Sequence, residues 1–378
     1  MLGQYPWDPE RMFGGVEAAM AYLAGELVRF PELDLHVVSC KTETATPQTR
    51  AHGAVRVTYL PRQGLGRITF HAREVRAMRR LIAEERPDLV HAHGTGLYAG
   101  AAVGCGRPAV ITAHGIMFRE AQLARTRGDR LRGMLDAAYE RWCLTRARNL
   151  IALCPYVARE FGETFRGRTF IVPNAVAEGF FRLQRRAEPG RILFTGLVMP
   201  RKALADLVRA LARVKDALPA AHLRVAGDTG SYPEYYRTVQ ALAGELGVAD
   251  RVSFLGYLTE PEVLDEYSRA QCLALPSCQE TLPVVVQQAM AAGLPVLSTR
   301  VGGVPDIIED GRNGVLVDKG DVAGLARGLA RLLTDGAMAA SLAAAARAHA
   351  DEHFAAGQVA RRTLDVYRTI LTGNGGAP

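Results

Sequence analysis

Short apolar runs alternate with amphipathic stretches along almost the whole chain, and that alternation restricts the folds open to it. In the first half, residues 35–39, 55–60, 88–93, 109–114, 150–153 and 169–172 read as strands, and 17–28, 72–85 and 131–148 as helices. A second series begins near residue 190. Its strands are predicted at 191–194, 223–226, 252–255, 271–275, 295–298 and 314–317, with helices between them and two long alanine-rich helices at 322–333 and 337–353. Apolar strands joined by helical crossovers form parallel sheets covered on both faces. Two such series predict an α/β protein of two doubly wound, Rossmann-like domains. The join falls at 175–190, where polar residues, glycine and proline interrupt the pattern. Ligands of such sheets bind at the carboxyl ends of the strands, so the expectation is two domains facing across a cleft.

The chain has 378 residues, of which 48% are apolar, enough for two full cores. Six cysteines stand at 40, 105, 143, 154, 272 and 278 without a C-x-x-C pair. That spacing argues against a structural zinc or a disulfide framework and for a reducing compartment. Met1 leads directly into Gly3, Pro6 and Trp7, with no basic start and apolar run, so no signal peptide is read. No apolar run reaches the ~18 residues of a membrane span. A cytoplasmic protein is expected. Its charge is lopsided: residues 1–173 hold 24 Lys/Arg against 17 Asp/Glu, and the rest is balanced. A basic half suggests an acidic partner such as an anionic membrane surface or a lipid phosphate; a solvated arginine surface reads the same way. Arg73, Arg76, Arg79 and Arg80 could dock the helix 72–85 on such a membrane, but Val75, Met78, Leu81 and Ile82 more simply form its core face.

Met1-Leu2 is too short for a buried first strand of ~5 residues, although Gly14-Gly15 after it reads as a strand-to-helix loop. Either the natural start lies a few residues upstream or the first strand is genuinely short.

The stretch Ser277-Cys278-Gln279-Glu280-Thr281-Leu282-Pro283 carries the clearest chemistry. It reads as a loop with a carboxylate, then a helix start, a glycine stop at Gly293 and a new strand. Pro283 suits the first helical position and Gly293 the position past the end. Amides at such a helix start attract phosphate. Glu280, just before it, is placed to hold a neutral polar group such as a sugar hydroxyl, and Gln288 could point the same way. After the strand 191–194, Gly196 and then Arg201 and Lys202 form a candidate diphosphate clamp, a fork of donors beside a point charge. Gly14-Gly15 before a helix could approach a phosphate, or be a plain turn.

Other chemistries lack their residues. Gly14-Gly15-Val16-Glu17 is not the dinucleotide G-x-G-x-x-G pattern, and no P-loop, G-x-S-x-G elbow or Asp-x-Asp pair is present. His91, His93 and His114 end two neighbouring strands, but no carboxylate shares their spacing. A hydrogen-bonding or packing role suits His91 and His93 better than a metal. No metal or other cofactor is expected.

Further blocks run in order along nearly the whole chain: Val172-Pro173-Asn174, Ala226-Gly227-Asp228, Val252-Ser253-Phe254-Leu255-Gly256, Pro276-Ser277, Gly302-Gly303-Val304-Pro305-Asp306 and Gly311-Arg312-Asn313-Gly314. With the motifs above they resemble a family 4 retaining glycosyltransferase of the GT-B fold. The resemblance implies an acceptor-side domain at 1–175, a donor-side domain at 190–358, and a final helix at 359–378 that returns to the first domain before a disordered tail, Gly373–Pro378. It implies that Glu280 is the first acid of the family's E-x7-E motif and holds donor-sugar hydroxyls. It implies that the amides of Thr281 and Leu282 line sugar and diphosphate, that Lys202 neutralises the leaving diphosphate with Arg201 beside it, and that Gly14 and Gly15 approach the same phosphates. His114 would lie near the donor sugar and Tyr257 beside the base. Loops at about 41–70 and 115–135 would read the acceptor.

Two positions depart from the family pattern. The second acid of E-x7-E is Gln288, which loses charge-assisted strength of order ~1 kcal/mol toward ribose hydroxyls. Leu197 stands where many members carry arginine, and Arg201 could compensate. The expected activity is metal-independent, retaining transfer of a hexose-type sugar from a UDP- or GDP-sugar to a glycan, lipid-linked or small-molecule acceptor in cell-envelope polysaccharide or glycolipid assembly. No nucleic acid is expected as a partner. A non-hydrolysing sugar-nucleotide epimerase and a partner subunit that has lost donor binding are the competing readings.

Overall fold

The structure, a computed structural model, describes residues 1–8, 12, 14–62, 69–123 and 126–373. It divides into two compact units, Met1–Ala175 together with Ala356–Pro378, and Val176–Ala355.

The first unit holds β1 (His36–Lys41), β2 (Gln48–His52), β3 (Val55–Pro61), β4 (Val90–His93), β5 (Ala109–Ala113), β6 (Asn149–Ala152) and β7 (Arg168–Ile171). The orders are β1-β3-β2 and β4-β5-β6-β7, parallel throughout except for antiparallel β2 against β3. Leu2 joins the two sets. Its amide donates to His91 O at 2.7 Å and its carbonyl accepts from His93 N at 2.7 Å, while Met1 O and Gly3 N bond Val38. The first strand is therefore a single bridging residue, wide enough because its neighbours supply both edges of the ladder. β2 was not anticipated: Gln48-Thr49-Arg50-Ala51-His52 is mostly exposed and has no apolar alternation, so only its pairing with β3 makes it a strand.

The helix Ala72–Glu85 occupies its predicted span. The helix predicted at 131–148 instead runs Arg127–Leu144, because the Thr126 side chain caps Asp129 N at 3.0 Å and the chain must turn after Leu144 to enter β6. The final helix, Ala356–Thr372, lies in the first unit. Its Val359, Leu364, Tyr367 and Ile370 pack with Leu23 and Leu27 of the helix Gly15–Leu27 and with Val110 and Ile151 of the sheet. The tail expected to be disordered falls, beyond Gly373, outside the described residues.

The second unit is one parallel sheet of β8 (Arg191–Thr195), β9 (His222–Ala226), β10 (Val252–Gly256), β11 (Cys272–Leu275), β12 (Val296–Thr299) and β13 (Val315–Val317), ordered β10-β9-β8-β11-β12-β13. The chain winds from β8 outward to β10, then crosses to β11 on the other side of β8. The β8/β11 boundary is thus a topological switch point, where open α/β sheets bind ligands. Residues 176–189, expected as a join, belong to this unit: Arg185 donates to Ala270 O at 2.8 Å, and the amides of Arg186 and Glu188 bond Ser268 O and Arg269 O. Their polarity serves these bonds rather than a free linker.

Among the described residues no single helix is long and apolar enough to cross a membrane, and the apolar pair Val322–Thr334 and Gly336–His353 is bent by 98°. The six cysteines are unbridged.

Candidate active site

Two loops meet at the β8/β11 switch point. After β8, Gly196 turns at φ 134°, and Gly227 packs so closely on it that a Cβ would stand 1.9 Å from Gly196 O. A 3-10 turn, Pro200–Lys202, then directs Arg201 and Lys202 back toward β11. After β11 the chain passes through Ser277 to Glu280 and enters the helix Val284–Ala291. Pro283 is the residue before the first helical one, not the first itself; its carbonyl accepts from Val286 N and Gln287 N, which opens the helix without needing a proline N–H. Gly293 closes it in the left-handed region at φ 61°, with Gly293 N bonded to Met290 O and Leu294 N to Ala289 O.

Glu280 is buried at this meeting. Lys202 Nζ donates to its Oε1 at 2.6 Å, Ser277 Oγ donates to the same oxygen at 2.6 Å, and Arg201 lies 3.7 Å from Oε2. Burial alone would raise the carboxyl; Lys202, Arg201 and the two hydrogen bonds outweigh it and hold Glu280 below its ordinary range. Arg201 also binds Gln279 O at 3.2 Å, and its carbonyl accepts from Cys278 N at 2.7 Å, which locks the two loops together. The glycine pair downstream completes the cradle. Gly302 sits at φ 56° with its Cβ position 1.7 Å from Glu280 O, and Gly303 N donates to Thr281 O at 3.0 Å. No other residue fits at Gly302 without moving Glu280.

Gln288 is buried one helical turn on. The Tyr267 hydroxyl stands 3.3 Å from its Oε1, 3.2 Å from Val285 O and 3.0 Å from Thr195 Oγ1, so Gln288 is linked through Tyr267 to the end of β8. Thr281 and Leu282 are buried in the same loop. Tyr257 follows the edge strand β10, two strands from β8, and Leu197 is 39% exposed.

His114, Gly14 and Gly15 lie in the first unit. Gly14, at φ 99°, precedes the helix Gly15–Leu27, in whose first turn buried Glu17 bonds Lys41 at 2.5 Å. His114 follows β5, stacks on His93 with ring centroids 5.2 Å apart, and shares a 2.9 Å hydrogen bond between its Nε2 and His93 Nδ1. Burial pushes the His114 imidazole down to about 4 against an Asn174 hydrogen bond that favours the charged form, so it is neutral at pH 7. His91 bonds the Tyr367 hydroxyl at 2.7 Å and Thr112 Oγ1 at 2.6 Å. Among the described residues no three His, Cys, Asp or Glu side chains are grouped to hold a metal.

Sequence reading passed over Ser277, Tyr267 and Glu140. Only Ser277 stood inside a recognised motif. Glu140 faces inward from the helix Arg127–Leu144 and accepts from Met117 N at 2.8 and 3.0 Å and from Thr95 Oγ1 at 3.2 Å. Burial pushes it up to about 7 against those hydrogen bonds. The two loops expected to read an acceptor are partly regular: β2 and β3 occupy much of 41–70, and the helices Met117–Ala121 and Arg127–Leu144 much of 115–135, with 63–68 and 124–125 outside the described residues. On the helix Ala72–Glu85, Val75, Met78 and Ile82 are buried as a core face. Arg79, one of the four proposed membrane contacts, binds Val103 O at 2.6 Å and Gly100 O at 3.0 Å instead.

Comparison with known proteins identifies this arrangement. Residues 13–178 match the family model described as Glycosyltransferase Family 4, and residues 177–349 that described as Glycosyl transferases group 1. The chain belongs to glycosyltransferase family 4. It is similar to the D-inositol 3-phosphate glycosyltransferase of Nocardioides sp., 29% identical over 86% of this chain and 79% of that one. The same enzyme of Streptomyces bingchenggensis is 36% identical over 48% of this chain, a match that spans only 41% of that relative's length. Among solved structures, sucrose-phosphate synthase from Thermosynechococcus elongatus superposes with a TM-score of 0.84 at 22% identity over 99% of both chains. Anabaena HepE in complex with UDP-glucose gives 0.73 at 19% identity over 97% of this chain and 98% of that one. The chain shares with these neighbours the GT-B fold of two α/β domains with parallel sheets.

Proposed function

We propose that this chain transfers a hexose-type sugar, with retention of anomeric configuration, from a UDP- or GDP-sugar to a glycan, lipid-linked or small-molecule acceptor, in polysaccharide or glycolipid synthesis. The carrying observation is the buried Glu280–Lys202 pair at the β8/β11 switch point, beside the start of the helix Val284–Ala291. The solved complexes of Anabaena HepE with UDP and with UDP-glucose favour a uridine donor.

In this reading Lys202 and Arg201 turn from Glu280 toward the diphosphate as it leaves the anomeric carbon. Developing charge is met by cations already in place and by helix amides, which costs little reorganisation. Glu280, held ionised, accepts from sugar hydroxyls and positions the ring. Thr281 and Leu282 contribute backbone, Gln288 and Tyr257 the nucleoside end. Gly14, Gly15 and His114 act from the first unit, with His114 as a neutral hydrogen-bonding group. None of these side chains is assigned as a nucleophile, so the acceptor attacks on the face the diphosphate leaves. Work at the inner face of an anionic membrane is part of the reading; the exposed Arg73, Arg76 and Arg80 remain its candidates.

The test is incubation with UDP-glucose and a panel of sugar and lipid acceptors, with the product's anomeric configuration read by proton NMR. An α-linked product from an α-donor is expected. A β-linked product would reject retention, and epimerised UDP-sugar without an acceptor would favour the epimerase reading.

A further inference from the structure

A cavity of about 740 Å³ lies in the first unit at the opposite end of the sheet from His93 and His114. Its wall includes the first residues of three parallel strands, Ala109 of β5, Asn149 of β6 and Arg168 of β7. Those amino ends stand about 10–13 Å from the carboxyl ends of the same strands, at ~3.3 Å per residue. The catalytic reading uses only carboxyl ends and leaves this cavity unexplained.

Four arginines line it, Arg107, Arg146, Arg148 and Arg168, and no carboxylate does. Several arginines elsewhere in this unit pair with carboxylates: Arg29 with Glu26, Arg119 with Glu160, Arg368 with Glu32 and Asp365. Among the described residues none of the four has such a partner. Two are held in place by neutral groups. Buried Asn149 donates to Ala109 O at 2.9 Å and accepts from Arg168 Nε at 3.2 Å, which leaves the rest of the Arg168 guanidinium unengaged. Arg146 lies over the Trp142 ring at 4.6 Å and bonds Trp142 O at 3.3 Å. Four unneutralised guanidiniums in one concavity repel each other, and planar forks of donors suit phosphate oxygens. This cluster also localises part of the charge excess carried by residues 1–173.

We propose that this cavity is a second ligand site that binds a phosphomonoester or diphosphate group. Arg168, Arg107, Arg148 and Arg146 supply the donors, and Val103, Pro108 and Ile370 form an apolar wall for whatever the phosphate is attached to. The volume lies within the range of small-molecule pockets, roughly 300–1,000 Å³.

The two tryptophans, Trp7 and Trp142, both lie in the first unit, so Trp7→Phe leaves a single reporter, stacked against Arg146. Pyrophosphate titrated into full-length Trp7→Phe at low salt should change Trp142 emission saturably. Adding Arg107→Gln and Arg168→Gln should raise the midpoint about tenfold or more, and Arg107→Lys with Arg168→Lys should recover part of it. Flotation with vesicles of phosphatidic acid in phosphatidylcholine, against phosphatidylcholine alone, separates the sources. Arginine-dependent vesicle binding points to a lipid phosphate, and pyrophosphate binding without it to a soluble one. No saturable change, or a midpoint and vesicle binding unaltered in a Gln variant of unchanged melting temperature, overturns the site.

Discussion

Lys202 Nζ donates to Glu280 Oε1 at 2.6 Å across 78 residues of sequence. The two side chains come from loops on either side of the sheet's switch point, and each limits what the other can be. Glu280 stays ionised in a buried setting because Lys202 is there. Lys202 is held at a position from which a diphosphate could take it over.

Lys202→Ala should therefore act on both stability and binding. Breaking a buried ion pair costs of order 3 kcal/mol, softened here by Arg201 at 3.7 Å. UDP affinity should fall about tenfold or more. Because Glu280 titrates below its unfolded value, its stabilising contribution is present above the unfolded value of 4.5 and is lost as pH falls through the lower folded value. Lys202→Ala should weaken that acid dependence. Urea melts across pH and calorimetric UDP titration check it; wild-type behaviour in both would remove the pair from the account.

Glu140 carries the opposite sign. Its folded value is raised to about 7 from 4.5, so the folded state holds the proton to higher pH than the unfolded chain. The contribution is complete below 4.5 and is lost as pH rises through about 7. Glu140→Gln keeps an acceptor for Met117 N and should flatten the fall in melting temperature between about pH 5 and pH 8. An unchanged slope would mean that another group titrates.

Gly302→Ala should be severe for so small a change. The residue is left-handed and its Cβ would meet Glu280 O at 1.7 Å, so the Glu280 loop must shift. Loss of UDP-sugar turnover by about a hundredfold, with a smaller loss of stability, is expected, since misplacing a positioned group by about 1 Å costs that much. Activity near wild type would show that the loop relaxes freely.

The distinction between motif and geometry is clear at these positions. The alternation of strands and helices was legible, since burial on both faces leaves continuous apolar runs, and Glu280, Lys202 and Gly302 stood in motifs. That Gly302 underlies Glu280 was not legible, because a contact between strand ends depends on sheet order, which no local pattern records. β2 escaped because an exposed edge strand needs no apolar face. Glu140 escaped because one carboxylate in a helix of several looks solvated until its neighbours are known.

Gln288→Glu tests the departure at the motif's second acid. A carboxylate beside Tyr267 and Thr195 should improve UDP affinity by about fivefold, the worth of one charge-assisted bond at ~1 kcal/mol. Activity that is absent in the wild type and appears only with this change would instead favour a subunit that has lost its donor site.

The most direct test of the central claim is calorimetric titration of the purified chain with UDP and with GDP, repeated on Lys202→Ala. The account predicts micromolar binding of one nucleotide, with UDP favoured, and its loss in the variant. Binding of neither nucleotide, or binding indifferent to Lys202, would contradict a donor site at the β8/β11 switch point.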